Sequence, residues 1–336
     1  MDKFIGNSFK NKKDFINYLV KFVILLALSI GLVFLLLNYN NPVSIDSPSY
    51  GKIVERRLDS IIAMAIASVC QVLSTITFQT ISNNRIITPS LLGFESVYEA
   101  IHTFLIFIFG ITSFLAFTSY GAFLIQIALM VGLCLLLYGF MLRGRRANIH
   151  YMLLVGIIIG TGLRSLSLFM RKLLSPAEFD ILQARLFASV NNADSSYFKL
   201  AIPIVFIASL VLFLNSKYLN VLSLGKDVSI NLGLNYNKLS ILALVIVSIL
   251  MAVSTALVGP MTFFGFLAAS LSYEICKSYD HKFIFAMGIL IGFSILTFAY
   301  FIMNHVFPAQ GVVNIIIEFF GGILFLLMLL RKESVW

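Results

Sequence analysis

The sequence predicts an all-α, polytopic membrane protein with ten transmembrane helices, and three observations carry that expectation. Of its 336 residues 60% are hydrophobic and 12% charged, with a mean hydropathy of +0.97. A soluble domain has close to half apolar residues and about a quarter charged, so this composition cannot make a water-facing surface. The apolar residues also fall in continuous runs, without the alternation of barrel strands. Most runs approach the roughly 20 residues that a helix needs to cross about 30 Å of hydrocarbon, where only a helix or a closed barrel satisfies its own backbone.

The runs are residues 19–37, 58–81, 97–117, 122–142, 151–170, 198–214, 239–258, 261–273, 283–301 and 312–330. The first follows Lys10, Lys12 and Lys13, as a signal peptide would. It exceeds an h-region in length and no small-x-small cleavage pattern follows it, so it reads as a retained helix. Residues 239–271 form one apolar stretch too long for a single crossing. It divides at Gly259-Pro260, because Pro is at home in the first turn of a helix, and this gives a short eighth helix. The resulting plan is a tail at 1–18, a ten-helix domain at 19–330 and a tail at 331–336.

Ten crossings put both termini on one side. With the N-terminus in the cytoplasm, Lys3, Lys10, Lys12, Lys13, Lys21, Arg85, Arg143, Arg145, Arg146, Lys217, Lys226, Lys238, Lys277, Lys282, Arg331 and Lys332 lie inside. Lys52, Arg56, Arg57, Arg164, Arg171, Lys172, Arg185 and Lys199 lie outside. The two-to-one excess has the sense of the positive-inside rule. The net charge of +9 is therefore mostly topological. Its basic residues are too scattered to form a nucleic-acid surface.

Polar chemistry is sparse. No Gly-rich loop ends in Lys-Ser/Thr, so the chain does not bind ATP by that route. His102, His150, His281 and His305 share no ligand spacing, and no nucleophile elbow or paired-carboxylate motif is present. No catalytic, metal or cofactor site is expected. Cys70, Cys134 and Cys276 are far apart in or beside apolar runs, as packing cysteines are. Glu318 lies in the middle of the last run, where an ionisable group faces protein or water rather than lipid; it reads as a pathway residue or as a hydrogen-bonded packing residue. Glu95 and Glu99 open the third span on the cytoplasmic side, where a helix N-terminus favours negative charge. The second run is rich in small and hydroxyl residues, from Ala63 to Thr80. Such a face serves tight helix packing, the commoner use, or a polar conduit.

Three polar segments stand apart. Between the second and third runs, "TISNNRIITPSLLGFES" holds Asn83, Asn84, Arg85, Pro89 and Gly93, a turn or a gate. The loop at about 219–238 has its own apolar spacing, with Val221, Leu222, Ile230 and Leu232. It predicts short helices broken by Gly225 and Gly233, and it exceeds the usual connection, which points to a docking surface. The outer loop 171–199 predicts a short surface helix at about 176–188.

Three motifs together resemble the FecCD-type iron-siderophore ABC importer permeases, the ten-helix family that also carries vitamin B12 and haem. The resemblance runs from about Arg56 to Arg331. The family's Arg-Leu-Pro-Arg, then Gln, then Asn-Pro-Leu-Ala-x-Pro-x-Leu-Leu-Gly is matched by Arg57-Leu58-Asp59-Ser60, Gln79 and "NNRIITPSLLG". Its Leu-Gly-x(7)-Gly loop is matched by Leu224-Gly225 to Gly233, and its Gly-Pro-Ile-Gly-Phe-Val-Gly-Leu by "GPMTFFGF" at Gly259 to Phe266. The form of the first segment looks most like the branch for catecholate, petrobactin, anguibactin and related siderophores. Departures are Asp59 and Ser60 in the first motif, Ala269, Ser270 and Tyr273 where many relatives have Pro, His and Arg, and Lys226 where an acidic residue is usual.

The resemblance implies a transport subunit rather than an enzyme, in the cytoplasmic membrane of a bacterium. It implies two ABC ATPase subunits inside, a second permease (in this branch often a different chain), a siderophore-binding protein outside and a ferric siderophore as cargo. By position, Arg56, Arg57 and Lys52 would dock the binding protein. Leu224, Gly225, Lys226, Asp227, Leu232 and Gly233 would couple to the ATPase. Gln79, Asn83, Asn84, Pro89, Gly93, Gly259, Pro260 and Glu318 would line or gate the pathway. An ion-coupled transporter with Glu318 as its coupling carboxylate is the alternative.

Overall fold

The computed structural model describes residues 8–43, 48–116, 120–141, 149–187, 189–190, 193–305 and 313–331. Lys3, Arg143, Arg145, Arg146 and Lys332, with most of the tail 331–336, lie outside them. Among the described residues the chain forms thirteen α-helices: α1 (Lys12–Asn38), α2 (Pro48–Ser82), α3 (Phe94–Ala116), α4 (Tyr120–Met141), α5 (Ile149–Arg171), α6 (Pro176–Leu186), α7 (Phe198–Leu214), α8 (Ser216–Leu222), α9 (Lys226–Asn231), α10 (Tyr236–Val258), α11 (Phe264–Cys276), α12 (His281–His305) and α13 (Val313–Arg331). A helix occupies each of the ten predicted runs. Seven are long and apolar enough to cross a membrane, and three apolar helical segments, Tyr120–Leu133, Phe264–Cys276 and Ile315–Leu327, are shorter.

The bundle is built around α2. In its most apolar stretch 83% of residues are buried, against 17% in α1. The small and hydroxyl residues of α2 therefore serve packing. Helix α10 runs antiparallel to α2, with Gln71 Nε2 donating to Ser254 Oγ at 3.2 Å. Helix α12 does the same on another side, where Ser68 Oγ donates to the carbonyl of Ile289 at 3.0 Å. Hydroxyls that bond across close helices suit a medium without competing water. Helix α1 lies on α12 through Tyr18 against Phe283 and through paired hydroxyls of Ser29 and Ser294 at 2.9 Å. Its outer face presents Val23, Ile24, Ile30 and Phe34, as a lipid-facing helix should.

Two helices depart from simple crossings. Residues 97–117 were expected to form one span, yet α3 breaks at Gly110, where φ is 73° and ψ is −179°. The rings of His102 and Phe114 lie 6.0 Å apart. Twelve residues of straight helix would separate them by about 18 Å, so the chain folds back on itself at Gly110. Helix α11, with 13 residues, is about 20 Å long at 1.5 Å per residue, short of a full crossing. Helix α6 begins in a full capping box, Ser175 with Glu178, close to where the sequence placed it.

Candidate functional site

The segment between α2 and α3 runs back into the bundle. Helix α2 ends at Ser82, and Asn83 takes the left-handed conformation with φ of 49°. The amide of Asn84 returns to the carbonyl of Gln79 at 3.1 Å, and Asn84 Oδ1 accepts from the amide of Ile86 at 3.0 Å. Buried Gln79 closes the turn, with Nε2 donating to the carbonyl of Arg85 at 2.6 Å. The chain then forms a 3-10 turn at Pro89–Leu92 and reaches Gly93, with φ of 91°. Gly93 lies backbone to backbone on Gly160, the midpoint of α5: a Cβ on Gly93 would stand 2.8 Å from the Cα of Gly160. Only glycine meets both the positive φ and this approach. Helix α3 therefore starts level with the middle of α5.

This placement corrects the expectation for the two acids. Glu95 lies in the first turn of α3, as expected, but that turn is inside the bundle rather than at its end. Glu99 pairs with Arg171 at 3.0 Å, at the far end of α5. Glu95 is buried, and Thr262 Oγ1 donates to its Oε2 at 2.6 Å. Thr262 belongs to the turn that begins at Gly259, with φ of 96°, and leads into α11. That turn is also deep, because Gly265 abuts Gln71 and Thr75 near the middle of the 58–81 run. The first turns of α3 and α11 thus meet inside the bundle with a carboxylate between them. Both N-termini carry the positive end of a helix dipole. Helix α13 completes the junction: Gly321 packs on Phe263, and Glu318 lies within electrostatic range of Glu95.

The predicted pathway residues are brought together in two groups. Gly93, Gly259, Pro260 and Glu318 gather around the Glu95–Thr262 contact. Gln79, Asn83 and Asn84 form the turn at the end of α2, where the predicted coupling loop also lies. Asn83 Nδ2 is the neighbour that a Cβ on Gly225 would meet, at 3.7 Å. That loop forms α8 and α9, flanked by Gly225 and Gly233 at φ of 95° and 84°. Leu224, Val228, Ile230, Leu232 and Asp227 are exposed. Four of the five are apolar, and exposed apolar side chains grouped on one short loop mark an interaction surface. The guanidinium of Arg85 sits 4.7 Å from the ring centroid of Tyr273.

At the opposite end of α2 the three predicted docking residues separate. Lys52 and Arg56 are exposed. Arg57 instead donates to the carbonyls of Leu36, Leu37 and Tyr39 at 3.0, 3.1 and 3.0 Å through Nη1, and to Asn40 at 3.2 Å through Nη2. It satisfies the free carbonyls at the end of α1. Residues that sequence reasoning missed are Thr262, Asn220, His281 and Thr80; no spacing marks them, because their partners lie far away in the chain.

A helical membrane protein whose deep polar junction is made by helices that start inside the bundle is built as a transport permease is built. The model of the FecCD transport family matches residues 19–331, and the chain belongs to that family. It is 55% identical over 329 residues to the petrobactin import system permease protein FatC of Bacillus anthracis, covering 98% of this chain and 93% of FatC. It is 37% identical over 317 residues to the petrobactin import system permease protein YclO of Bacillus subtilis, covering 94% and 99%. FatD, another petrobactin import system permease protein of Bacillus anthracis, is 20% identical over 280 residues, covering 83% and 81%. A solved structure described as an inward-facing conformation of a proposed metal-chelate type ABC transporter superposes with a TM-score of 0.79 at 20% identity. It covers 94% of this chain and 99% of that one, a likeness of fold.

Proposed function

We propose that this chain is the membrane-spanning permease subunit of a bacterial ABC importer that carries a ferric siderophore of the petrobactin or catecholate class into the cytoplasm. It is a transport subunit, and ATP is hydrolysed by a partner. The observation that carries this reading is the 55% identity to FatC along 98% of the chain. The ten apolar segments lie in the cytoplasmic membrane, α3 and α11 entering it from turns inside the bundle, and both termini are in the cytoplasm.

The cargo moves between two permeases. The cavity beside the junction, lined by Tyr98, His102, Arg185 and Gly259, measures about 260 Å³. Pockets for drug-sized ligands start at about 300 Å³, so an iron chelate does not fit there; the larger hollows, about 590 and 430 Å³, are apolar grooves lined by exposed residues such as Phe104 and Phe206. The second permease is a different chain, an arrangement supported by the weaker match to FatD, which carries the same system name as FatC. The α8–α9 patch meets the ATPase, and tilting of the two permeases alternates access. Lys52 and Arg56 meet acidic residues of an extracytoplasmic siderophore-binding protein, steering encounter more than setting affinity.

Mild-detergent purification of the tagged chain from its native cell, followed by mass spectrometry, tests this reading. An ATPase and a second, different permease are expected. A second copy of this chain with the ATPase would overturn the heterodimer, and a stable lone chain would overturn the importer.

A further inference from the structure

At the α8 end a side chain of the docking loop holds the start of α12. Asn220, on α8, is pinned at both ends. Its Nδ2 donates to Asp280 Oδ1 at 3.2 Å. Its Oδ1 accepts from the backbone amide of His281 at 2.9 Å and faces ring Nδ1 at 2.6 Å. A carboxylate only accepts and a backbone amide only donates, so the orientation of the Asn220 amide is determined. A neutral ring then carries its proton on Nδ1, which leaves Nε2 as an acceptor. Nε2 faces Thr80 Oγ1, on the last turn of α2, at 2.7 Å. His281 and Thr80 are both buried.

The hydroxyl of Thr80 has one proton and three neighbours: His281 Nε2, the carbonyl of Ile76 in its own helix at 2.8 Å, and the hydroxyl of Tyr273 on α11, which itself can donate. When His281 moves away, Thr80 keeps a bond by turning to Ile76, so the contact opens without stranding a buried donor. Gln79, the neighbour of Thr80, holds the turn that carries Arg85 against Tyr273 of α11. Asp280 is braced from its other side by Ser8, whose Oγ donates to Oδ2 at 2.9 Å.

We propose that Asn220, His281 and Thr80 form a positioning relay that passes displacement of the α8–α9 loop to the turn at the end of α2 and so ties transport to events at the loop. The relay rests on the reading of α8–α9 as the ATPase dock. A group that only packed would affect stability; a relay affects how much cargo moves for each ATP.

The test uses the whole importer, with both permeases, the ATPase and the binding protein, in proteoliposomes. ATP hydrolysis and ferric-siderophore uptake are read together for Thr80→Val, Asn220→Ala, the double variant and Thr80→Ser. Thr80→Val keeps the side-chain shape, so the test stands even where Asn220→Ala fails to assemble. With the ATPase still bound, uptake per ATP is expected to fall about tenfold in Thr80→Val, as for loss of one buried hydrogen bond, and at least as far in Asn220→Ala, which loses three contacts. The double variant should fall no further than the weaker single variant, and Thr80→Ser should recover. Unchanged uptake per ATP, or a double loss equal to the product of the single losses, would overturn the relay while leaving the dock intact. Loss of ATPase binding in variants of Leu224 and Leu232 is expected; ATPase that binds normally to them would overturn the dock, and the relay with it.

Discussion

At the end of the bundle that carries α8 and α9, polar side chains reach across the whole sequence. Thr80 meets His281, Ser8 meets Asp280, and Tyr236 Oη donates to the carbonyl of Ile81 at 3.0 Å. At the other end Arg57 caps the helix that precedes its own and Tyr300 Oη reaches Ser60 Oγ at 3.5 Å, but charge is left free: Lys52 and Arg56 stay exposed. Between the two ends lies the junction of Glu95 with Thr262. The difference fits the tasks of the two faces. A surface that only meets a binding protein needs free charge, whereas one that receives work needs connections to distant helices.

The largest effect that can break this comparison lies at the junction, on which both ends depend. Gly160→Leu should abolish assembly of the importer, because backbone sits where the side chain must go; Gly162→Leu, two residues on with open space around it, should assemble normally. Size-exclusion chromatography of the complexes reads both. If the pair behaves alike, the close approach of α3 and α5 is not as described.

Next in size is Thr262→Val, which removes one of the two hydroxyls, Thr262 and Ser90, that bond to the buried carboxyl of Glu95. A buried hydrogen bond is worth roughly 0.5–1.5 kcal/mol, so the melting temperature should fall and uptake with it. Thr262→Ser should restore both.

The outer corner sharpens the contrast further. Arg57→Ala should destabilise the purified importer by about 1 kcal/mol, as for loss of a helix cap, with the rate of binding-protein association unchanged. Arg56→Glu should do the reverse: no shift in melting, but slower association and a weaker dependence on salt. If Arg57 alone governed association, the division of labour between the two arginines would be wrong.

The smallest effect concerns Glu178. The amide of Ser175, and then its hydroxyl, hold this carboxyl below its ordinary range. A lowered folded-state value stabilises α6 above the unfolded-state value, and that help is lost as pH falls through the folded-state value. Amide exchange in 175–187 should therefore quicken on acidification below the ordinary carboxylate range, and Glu178→Gln should show less of that change.

Much of this architecture can be read from the sequence. The apolar runs identify ten helical segments, because lipid demands long uninterrupted stretches. Ser175, Pro176 and Glu178 mark the start of α6 by local chemistry alone. Gly225 and Gly233 bracket α9 for the same reason. The depth of the junction cannot be read in that way. Glu95 looks like an ordinary first-turn acid, and only the packing of Gly93 on Gly160 carries it into the bundle. Arg57 matches a docking motif by position, yet the end of α1, about 20 residues earlier, takes its guanidinium. Asn220, His281 and Thr80 are unmarked because each owes its role to a partner on another helix.

The most direct test of the importer reading is uptake of radioiron-labelled ferric petrobactin into proteoliposomes that contain this chain, its permease partner, the ATPase and the binding protein. The account predicts uptake that requires ATP on the ATPase side and ceases when the ATPase is inactivated. Uptake by this chain alone, driven by a proton gradient and lost in Glu318→Gln, would contradict it.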